Sequence, residues 1–166
     1  MDMTPSKYLN ILPEKYDTDK LLDCYNNFQD MADQICISSP DGKTFVEESG
    51  NTWTIEKMLS YDKLNTYFRG TYVDEVYNDL NDKYGICRAR FMRLTKLNRA
   101  YSYHQDWTPR IHIPLKTDRN SLFLVEDNVI KMHNIGTTYK LDTRYRHTAL
   151  NLGSADRIHM VFCLTK

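Results

Sequence analysis

Hydrophobic residues recur at helical spacing through the first half of the chain. In residues 21–35 they follow each other every three or four positions, and two similar stretches lie between residues 54 and 84. This period gathers apolar side chains on one face of a helix, so it predicts three helical segments, the last of which ends at Gly85. A Pro-Asp-Gly turn separates the first two, and its flanks at residues 34–37 and 44–46 predict a hairpin or a strand that enters a sheet.

After Gly85 the pattern changes to short alternating segments separated by turn residues. The candidate strands cover residues 86–94, 100–104, 110–115, 121–126, 129–133, 137–141, 148–152 and 157–164. About eight strands in roughly 80 residues is the density of a sandwich, a jelly roll or a barrel. No linker interrupts the chain, so we expect a single domain over residues 1–166, with a mainly helical part at 1–84 and a β core at 85–166.

The composition limits the kinds of partner and the cellular compartment that we expect for the protein. Lysine plus arginine and aspartate plus glutamate each number 22, so the formal net charge is zero and no overall field draws the protein to nucleic acid or to an anionic membrane. The four cysteines form no CxxC pair, and the N-terminus has no basic patch before an apolar run. We therefore expect reduced thiols and a cytoplasmic protein. No segment approaches the roughly 18 apolar residues that a membrane helix needs, and the oligomeric state stays open.

A run of basic residues between positions 83 and 99 allows two interpretations. Arg88, Arg90 and Arg93 are interleaved with aromatic residues, as in surfaces that bind single-stranded nucleic acid. A strand with one charged face explains the same pattern without any partner. Because the net charge is zero, we favour the charged strand face.

The residues with chemical potential concentrate in the second half, where all five histidines lie. His104 and Asp106 are two residues apart, so both point to the same side of a strand. Alone, this tripeptide is more typical of a surface histidine bonded to a carboxylate. With His147 it forms a 2-His-1-carboxylate set, which leaves coordination positions open and is typical of non-haem Fe(II) oxygenases. Arg157 suits a carboxylate, and a hairpin turn at Gly153-Ser154 predicts that it lies opposite His147.

Two segments of the second half resemble a known family. HQDWTPRIHIPLKT and GTTYKLDTRYRHTALNLGSADRIHMVF are similar to the aspartyl/asparaginyl β-hydroxylase-like group of 2-oxoglutarate (2OG) oxygenases, which includes bacterial proline hydroxylases and small phage or bacterial proteins. The resemblance covers residues 85–164 and combines HxD, RxHxPL, Gly-x-x-Tyr, His-x3-Asn and His-x9-Arg in the family's order. It implies a mainly β fold with α, a double-stranded β-helix of the jelly-roll or cupin type that N-terminal helices buttress.

The resemblance also implies roles for individual residues. The implied iron ligands are His104, Asp106 and His147. Arg157 would bind the distal carboxylate of 2OG, His112 would help to hold 2OG, and Arg110 would approach a carboxylate of the substrate. The animal aspartyl hydroxylases lack the acidic ligand that Asp106 supplies here, so its presence moves the chain towards the small microbial and viral branch.

Three further side chains near these motifs are interpreted from the residues themselves. Trp107 follows the metal tripeptide and either lines the substrate pocket or packs at a strand end. His133 and His159 fit hydrogen-bonded positions in the β core better than a role in the chemistry.

The predicted function is that of an Fe(II)- and 2OG-dependent dioxygenase. It would use O2 to hydroxylate an amino acid, free or within a polypeptide, and convert 2OG to succinate and CO2. Arg110 as a carboxylate partner is the residue-level reason to expect an amino-acid substrate. Two alternatives stay open, namely oxidation of a nucleobase or another small metabolite, and a cupin-like metal-binding protein without redox activity.

Overall fold

Two antiparallel sheets face each other and form the β core. The structure is a computed structural model that describes residues 6–47 and 52–166. Its elements are β1 (Leu9–Lys15), α1 (Thr18–Asn26), β2 (Gln34–Cys36), β3 (Ser38–Ser39), α2 (Ile55–Leu59), β4 (Lys63–Leu64), a 3-10 turn (Thr66–Phe68), α3 (Tyr72–Tyr84), β5 (Ile86–Leu94), β6 (Arg110–Lys116), β7 (Ser121–Val125), β8 (Asn128–Ile130), β9 (Thr137–Leu141), β10 (His147–Asn151) and β11 (Arg157–Leu164). Over the described ranges the larger sheet has the order β1-β9-β6-β11-β5-β2 and the smaller has the order β10-β7-β8, while β3 pairs with β4.

The centre of the larger sheet has one apolar and one polar face. Phe91 of β5, Ile113 of β6 and Phe162 of β11 pack in one core cluster with residues of helices α1 and α3. Successive side chains of a strand point to opposite faces, so Arg90 of β5 and His112 of β6 point to the space between the sheets. The helices thus cover one face and leave the other for a site. This architecture is the double-stranded β-helix that the family resemblance implies, with the N-terminal helices against its larger sheet.

The predicted helices are present, but the first two are shorter than their hydrophobic patterns. Helix α1 follows Asp17, whose carboxylate accepts hydrogen bonds from the first turn, and it ends at Asn26. Residues 34–36, at the end of the first pattern, pair with β5 instead. Helix α3 fills its predicted span and stops at Gly85, where φ is 64° and glycine is favoured. No helix in the described ranges has the length and apolar composition that a membrane span requires.

Most of the predicted strands form, and β5, β9 and β11 have the predicted bounds. The prediction of a strand at residues 100–104 is wrong. That stretch makes only isolated bridges, between Ala100 and Leu150 and between His104 and His147. Its middle residues, Ser102 and Tyr103, are exposed, so the segment lacks the buried face that stabilises a continuous strand.

Strand β1 is the longest of the described elements that no hydrophobic pattern predicts. It forms an edge of the larger sheet and pairs with β9 only, from Leu9↔Leu141 to Lys15↔Thr137, with an irregular register between. Its side chains are half-buried or exposed, and Pro13 is tolerated because an edge strand leaves N–H groups outside the ladder. Strand β1 therefore joins the sheet through backbone hydrogen bonds, which leave no pattern in the sequence.

The predicted hairpin between His147 and Arg157 is also wrong. Strand β10 pairs with β7 in the smaller sheet, whereas β11 lies between β5 and β6 in the larger sheet. The connection between them crosses from one sheet to the other. The buried Asn151 holds this crossover, because its amide donates to the carbonyl oxygens of Leu94 and Ala155 at 3.0 and 2.8 Å. His147 and Arg157 consequently approach one pocket from opposite sheets.

Candidate active site

A pocket of about 400 Å³ lies between the two sheets. Its walls come from the inner faces of β5, β6 and β11, from β7 and β10 of the smaller sheet, and from the segment 101–107. This size lies within the range of small-molecule sites, about 300–1,000 Å³. All seven site residues predicted from the sequence line it, namely His104, Asp106, Trp107, Arg110, His112, His147 and Arg157.

The three predicted metal ligands come together in the pocket. One ligand atom each from His104, Asp106 and His147 lies within 4.8 Å of the others. Reciprocal backbone hydrogen bonds of 3.1 and 2.7 Å pair His104 with His147, and the N–H of Asp106 donates to the carbonyl of Thr143 at 2.8 Å. The segment that carries the tripeptide is thus fixed against β10 and the residues before it, although it is not a regular strand.

Both imidazole rings present the same nitrogen to the carboxylate. The Nδ1 of His104 lies 2.7 Å from the carbonyl oxygen of Ser102, and the Nδ1 of His147 lies 2.9 Å from that of Tyr145. A carbonyl only accepts, so each Nδ1 carries the hydrogen and each Nε2 of the neutral ring keeps its lone pair. The two Nε2 atoms lie 3.3 and 3.4 Å from the oxygens of Asp106.

The charge state of Asp106 suits a ligand. Burial raises the pKa of its carboxyl, but the hydrogen bond with His104 and the charge of Arg110 lower it by more, so the pKa lies below its usual value. Its Oδ2 is buried without a hydrogen-bond partner among the described residues. The hydrogen bond with His104 requires a proton on Nε2 of that ring, and it raises the pKa of His104. When both rings are neutral, the three converging atoms are all acceptors and repel one another unless a cation lies between them. Two imidazole nitrogens and one carboxylate oxygen suit a divalent metal such as Fe(II).

Arg110 lies on the ligand carboxylate. Its Nη2 donates to Oδ1 of Asp106 at 2.6 Å, and both side chains are only 10% exposed. Its Nε has no partner in the described ranges. The predicted contact of Arg110 with a substrate carboxylate stays a prediction, because the contact that the structure contains is the one with Asp106.

Arg157 is buried in the same pocket without an acidic partner in the part of the chain that the structure describes. It is 2% exposed, donates from Nη2 to Nδ1 of His159 at 3.0 Å, and stacks its guanidinium 4.8 Å from the ring centre of Phe123. Burial lowers its pKa to about 10, which still leaves it charged at neutral pH. A buried cation of this kind can bind an anionic ligand at little cost in reorganisation.

The three other histidines differ in their hydrogen-bond partners. His112 lines the pocket beside Phe123, and neither of its ring nitrogens has a hydrogen-bond partner among the described residues. Burial and the charge of Arg157 hold its pKa well below the usual value, so the ring is neutral and has both a donor and an acceptor to offer. His133 binds the carbonyl of Ser121 at 2.9 Å, and His159 supports Arg157. Trp107 is 45% exposed at the pocket wall.

The pocket also contains charged residues that no sequence motif assigned to the site. The basic face of β5 points inward, because Arg88 and Arg90 line the pocket. Arg88 has a φ of 46° and lies at a β-bulge opposite β11, which turns its side chain to the pocket. There it forms two hydrogen bonds with Glu47, of 2.9 and 2.8 Å. Two charged residues alternating within the hydrophobic segment ICRARFM were the available signal, since a fully buried strand has no solvated face for them.

Comparisons with known proteins agree with the architecture. Neither a protein-family model nor a curated protein sequence matches this chain. A viral collagen prolyl hydroxylase from Paramecium bursaria chlorella virus 1, solved as its 2OG complex, has a TM-score of 0.56 at 13% identity, covering 95% of this chain and 96% of that one. A 2OG-Fe(II) oxygenase family oxidoreductase from Burkholderia pseudomallei has a TM-score of 0.52 at 15% identity, covering 94% and 84%.

A prolyl hydroxylase from Trichoplax adhaerens, solved with a peptide fragment of hypoxia inducible factor, has a TM-score of 0.51 at 13% identity, covering 96% of this chain and 84% of that one. At such low identities the likeness concerns the fold. The chain therefore shares the double-stranded β-helix fold with these three proteins over nearly its whole length.

Proposed function

We propose that the protein is an Fe(II)- and 2OG-dependent oxygenase that hydroxylates an amino acid, free or within a polypeptide. The observation that carries the proposal is one pocket with two kinds of unsatisfied group. Three acceptor atoms of His104, Asp106 and His147 converge, and the buried Arg157 has no carboxylate partner among the described residues. The first set fits a divalent metal, and the second fits the far carboxylate of a dicarboxylic acid.

Each residue has a task in this proposal. His104, Asp106 and His147 would hold the metal on one side and leave its other positions to 2OG and O2. Arg157 would bind the distal carboxylate of 2OG, and His112 would donate a hydrogen bond to it from its neutral ring. When bound, Fe(II) and 2OG supply the oxidative decarboxylation that gives succinate and CO2 and allows hydroxylation of an unactivated C–H bond. Trp107 would cover the substrate from the solvent side.

The fold is compatible with this chemistry, but the fold alone does not identify the reaction. The three compared proteins are named as prolyl hydroxylases or a 2OG-Fe(II) oxygenase family member, and one fold can host unrelated functions. The sequence motifs support the finer assignment to the aspartyl/asparaginyl β-hydroxylase-like branch. That assignment belongs to the proposal, together with an amino-acid substrate.

Coupled ligand binding tests the reaction class. Thermal unfolding is measured with Mn(II), which replaces the oxidisable Fe(II), with 2OG, and with both. We expect 2OG to stabilise the protein only when the metal is present, by about 2–3 kcal/mol at 100 times the dissociation constant. The Arg157→Ala variant should lose the 2OG effect and keep the metal effect, His104→Ala should lose both, and Arg144→Ala, an exposed arginine outside the pocket, should behave as the wild type.

Succinate release with Fe(II) and O2 then separates the proposal from a metal-binding protein without redox activity. A protein that binds Mn(II) but shows no stabilisation by 2OG and releases no succinate would contradict the proposed reaction. Succinate formed with no other substrate present would establish decarboxylation of 2OG without identifying the substrate.

A further inference from the structure

The pocket contains more buried positive charge than one molecule of 2OG explains. Its lining includes the arginines Arg88, Arg90, Arg110 and Arg157 and the carboxylates Glu47 and Asp106. Glu47 pairs with Arg88 at 2.8 Å and Asp106 pairs with Arg110 at 2.6 Å. Two guanidinium groups, those of Arg90 and Arg157, are therefore left without a carboxylate in the described ranges. The proposed function uses Arg157 for 2OG, and Arg90 has no task.

Arg90 is buried, and most of its donor groups are unsatisfied within the described residues. It is 2% exposed, and its Nη1 donates to the side-chain oxygen of Gln34 at 2.9 Å. Its Nε and Nη2 have no hydrogen-bond partner among the described residues. Burial, together with the neighbouring charges of Arg88 and Arg110, lowers its pKa to about 10. Burying an ion with so few partners destabilises the fold, so a purely structural arginine at this position would be paired.

The strand holds Arg90 firmly in the pocket. β5 lies between β11 and β2, and Arg90 is opposite Val161 on one side and Cys36 on the other. Its neighbours in the chain, Ala89 and Phe91, pack in the core cluster on the opposite face. Because two ladders fix the backbone, the guanidinium cannot leave the pocket by a shift of the strand. Such a preorganised cation suits an anion that must be placed accurately.

We propose that Arg90 is a second carboxylate-binding residue of this pocket and that the substrate is a small molecule with a free carboxylate. This inference rests on the proposed function, which allows a free amino acid or an amino acid within a polypeptide as the substrate. It favours a free amino acid, or a similar small carboxylic acid, over an internal residue of a polypeptide. The pocket volume of about 400 Å³ suits 2OG beside a small molecule. Nε and Nη2 lie on one edge of the planar guanidinium, and together they match the two oxygens of a carboxylate.

The experiment compares acids with their own amides. The protein is saturated with Mn(II) and 2OG, and binding of the L-α-amino acids and of short-chain carboxylic acids is measured by calorimetry and thermal unfolding, each beside its primary carboxamide. We expect at least one acid to bind and its carboxamide to bind at least about 10-fold more weakly, since a charge-assisted bidentate contact is lost. N-acetyl amino-acid amides, which imitate an internal residue, should not bind.

Variants assign the effect to Arg90. Arg90→Gln should weaken binding of the preferred acid by about 10- to 100-fold and leave the affinity for 2OG within twofold. Arg90→Lys, which keeps the charge but loses the planar fork, should fall between. The control is Arg93→Gln on the same strand, whose arginine pairs with Asp33 away from the pocket lining and should change neither affinity.

Two other results would contradict the inference. If no acid binds more tightly than its carboxamide, or if nothing binds at all, the substrate is not recognised through a carboxylate. This comparison uses the wild type alone, so it does not depend on the folding of a variant. Loss of 2OG binding in Arg90→Gln, with 2OG binding retained in Arg157→Ala, would make Arg90 the co-substrate residue instead. Failure of the proposed function looks different, because the wild type would then not bind 2OG in the presence of Mn(II).

Discussion

The three candidate metal ligands are each held through an atom other than the one that would bind metal. Carbonyl oxygens of Ser102 and Tyr145 hold the Nδ1 atoms of the two histidines. On the carboxylate, Arg110 holds Oδ1 of Asp106 while Oδ2 has no hydrogen-bond partner in the described ranges. Such supporting contacts fix the direction of a ligand and its protonation before the metal arrives. The contacts that hold the two histidines use backbone carbonyls, which a substitution does not remove. The contact of Arg110 with Asp106 is between side chains, so a substitution can remove it.

Replacement of Arg110 by methionine should weaken metal binding. The variant keeps the bulk of the side chain but leaves Asp106 free to rotate, so we expect the affinity for Mn(II) to fall by about 10- to 100-fold. Calorimetric titration with Mn(II) measures the change. Arg144→Met is the matched control, because Arg144 also pairs with an aspartate, Asp142, but is 60% exposed on the surface. An unchanged affinity in Arg110→Met would show that this arginine does not orient the ligand.

The pair of Glu47 and Arg88 gives a stability effect that depends on pH. Burial raises the pKa of Glu47, but its hydrogen bonds with Arg88 and the nearby arginine charges lower it by more. The pKa in the folded protein is thus below the unfolded value of about 4.3, so the carboxylate stabilises the fold above that pH, and the effect is lost as the pH falls through the folded pKa. Glu47→Gln should cost about 2 kcal/mol at pH 7.

Urea unfolding at pH 3–7 measures this dependence. The difference in unfolding free energy between the wild type and Glu47→Gln should shrink below about pH 4. Glu75→Gln, at an exposed position of α3, should show little difference at any pH. A cost that stays the same at pH 3 and pH 7 would mean that the carboxylate charge is not what stabilises the pair.

Among the elements, the junction between β1 and β9 depends on a single glycine. Gly136 has a φ of 77°, its N–H donates to the carbonyl of Pro114, and its own carbonyl accepts from the N–H of Tyr16. A Cβ at this position would lie 2.8 Å from the backbone oxygen of Tyr16. The Gly-x-x-Tyr segment of the sequence therefore has a structural reason, since Gly136 allows the edge strand to approach and Tyr139 is buried.

Gly136→Ala should destabilise the protein more than Gly70→Ala. Gly70 also has a positive φ, of 74°, but no atom of the described residues lies within 4 Å of a Cβ added there. Gly70→Ala should cost only the backbone strain, about 1 kcal/mol, and Gly136→Ala the strain plus the clash, roughly 2–4 kcal/mol. Chemical denaturation of both variants provides the comparison. Equal costs would show that the edge strand adjusts without penalty.

The elements also show which parts of the fold the sequence can predict. Strands with a buried side, such as β5, β9 and β11, have the predicted bounds because burial imposes a pattern on their side chains. The edge strand β1 is held mainly by its backbone and has no such pattern. The turn residues Gly153-Ser154 predict a change of direction, but the same signal serves a hairpin and a crossover between sheets.

The candidate site was predictable to the extent that its residues have distinctive spacing. His104, Asp106 and His147 converge as the motifs predict. The charged residues of ICRARFM indicate a polar face on β5, but they do not show whether that face meets water or the opposite sheet, so they could not place Arg90 in the pocket. Its position depends on which sheets face each other, and that is a property of the whole chain.

At the scale of the whole molecule, a net charge of zero conceals an uneven distribution. Positive charge exceeds negative charge in the buried pocket, where Arg157 and Arg90 lack carboxylate partners in the described part of the chain. A buried charge without a partner reduces stability, and sites prepared for ligands commonly show such a conflict between function and stability. The same substitution at a paired and at an unpaired arginine should then change the stability in opposite directions.

Arg157→Met and Arg110→Met test this in the metal-free protein. Arg157 has no carboxylate partner within residues 6–47 and 52–166. Its removal should relieve a buried charge, although His159 loses its hydrogen bond, so we expect the free energy of unfolding to rise by about 1 kcal/mol. Removing Arg110 leaves Asp106 buried without its cation, so the free energy of unfolding should fall by about 3 kcal/mol. Denaturant unfolding measures both. If the two variants change stability in the same direction, the pocket does not contain the charge imbalance that the binding of two anions requires.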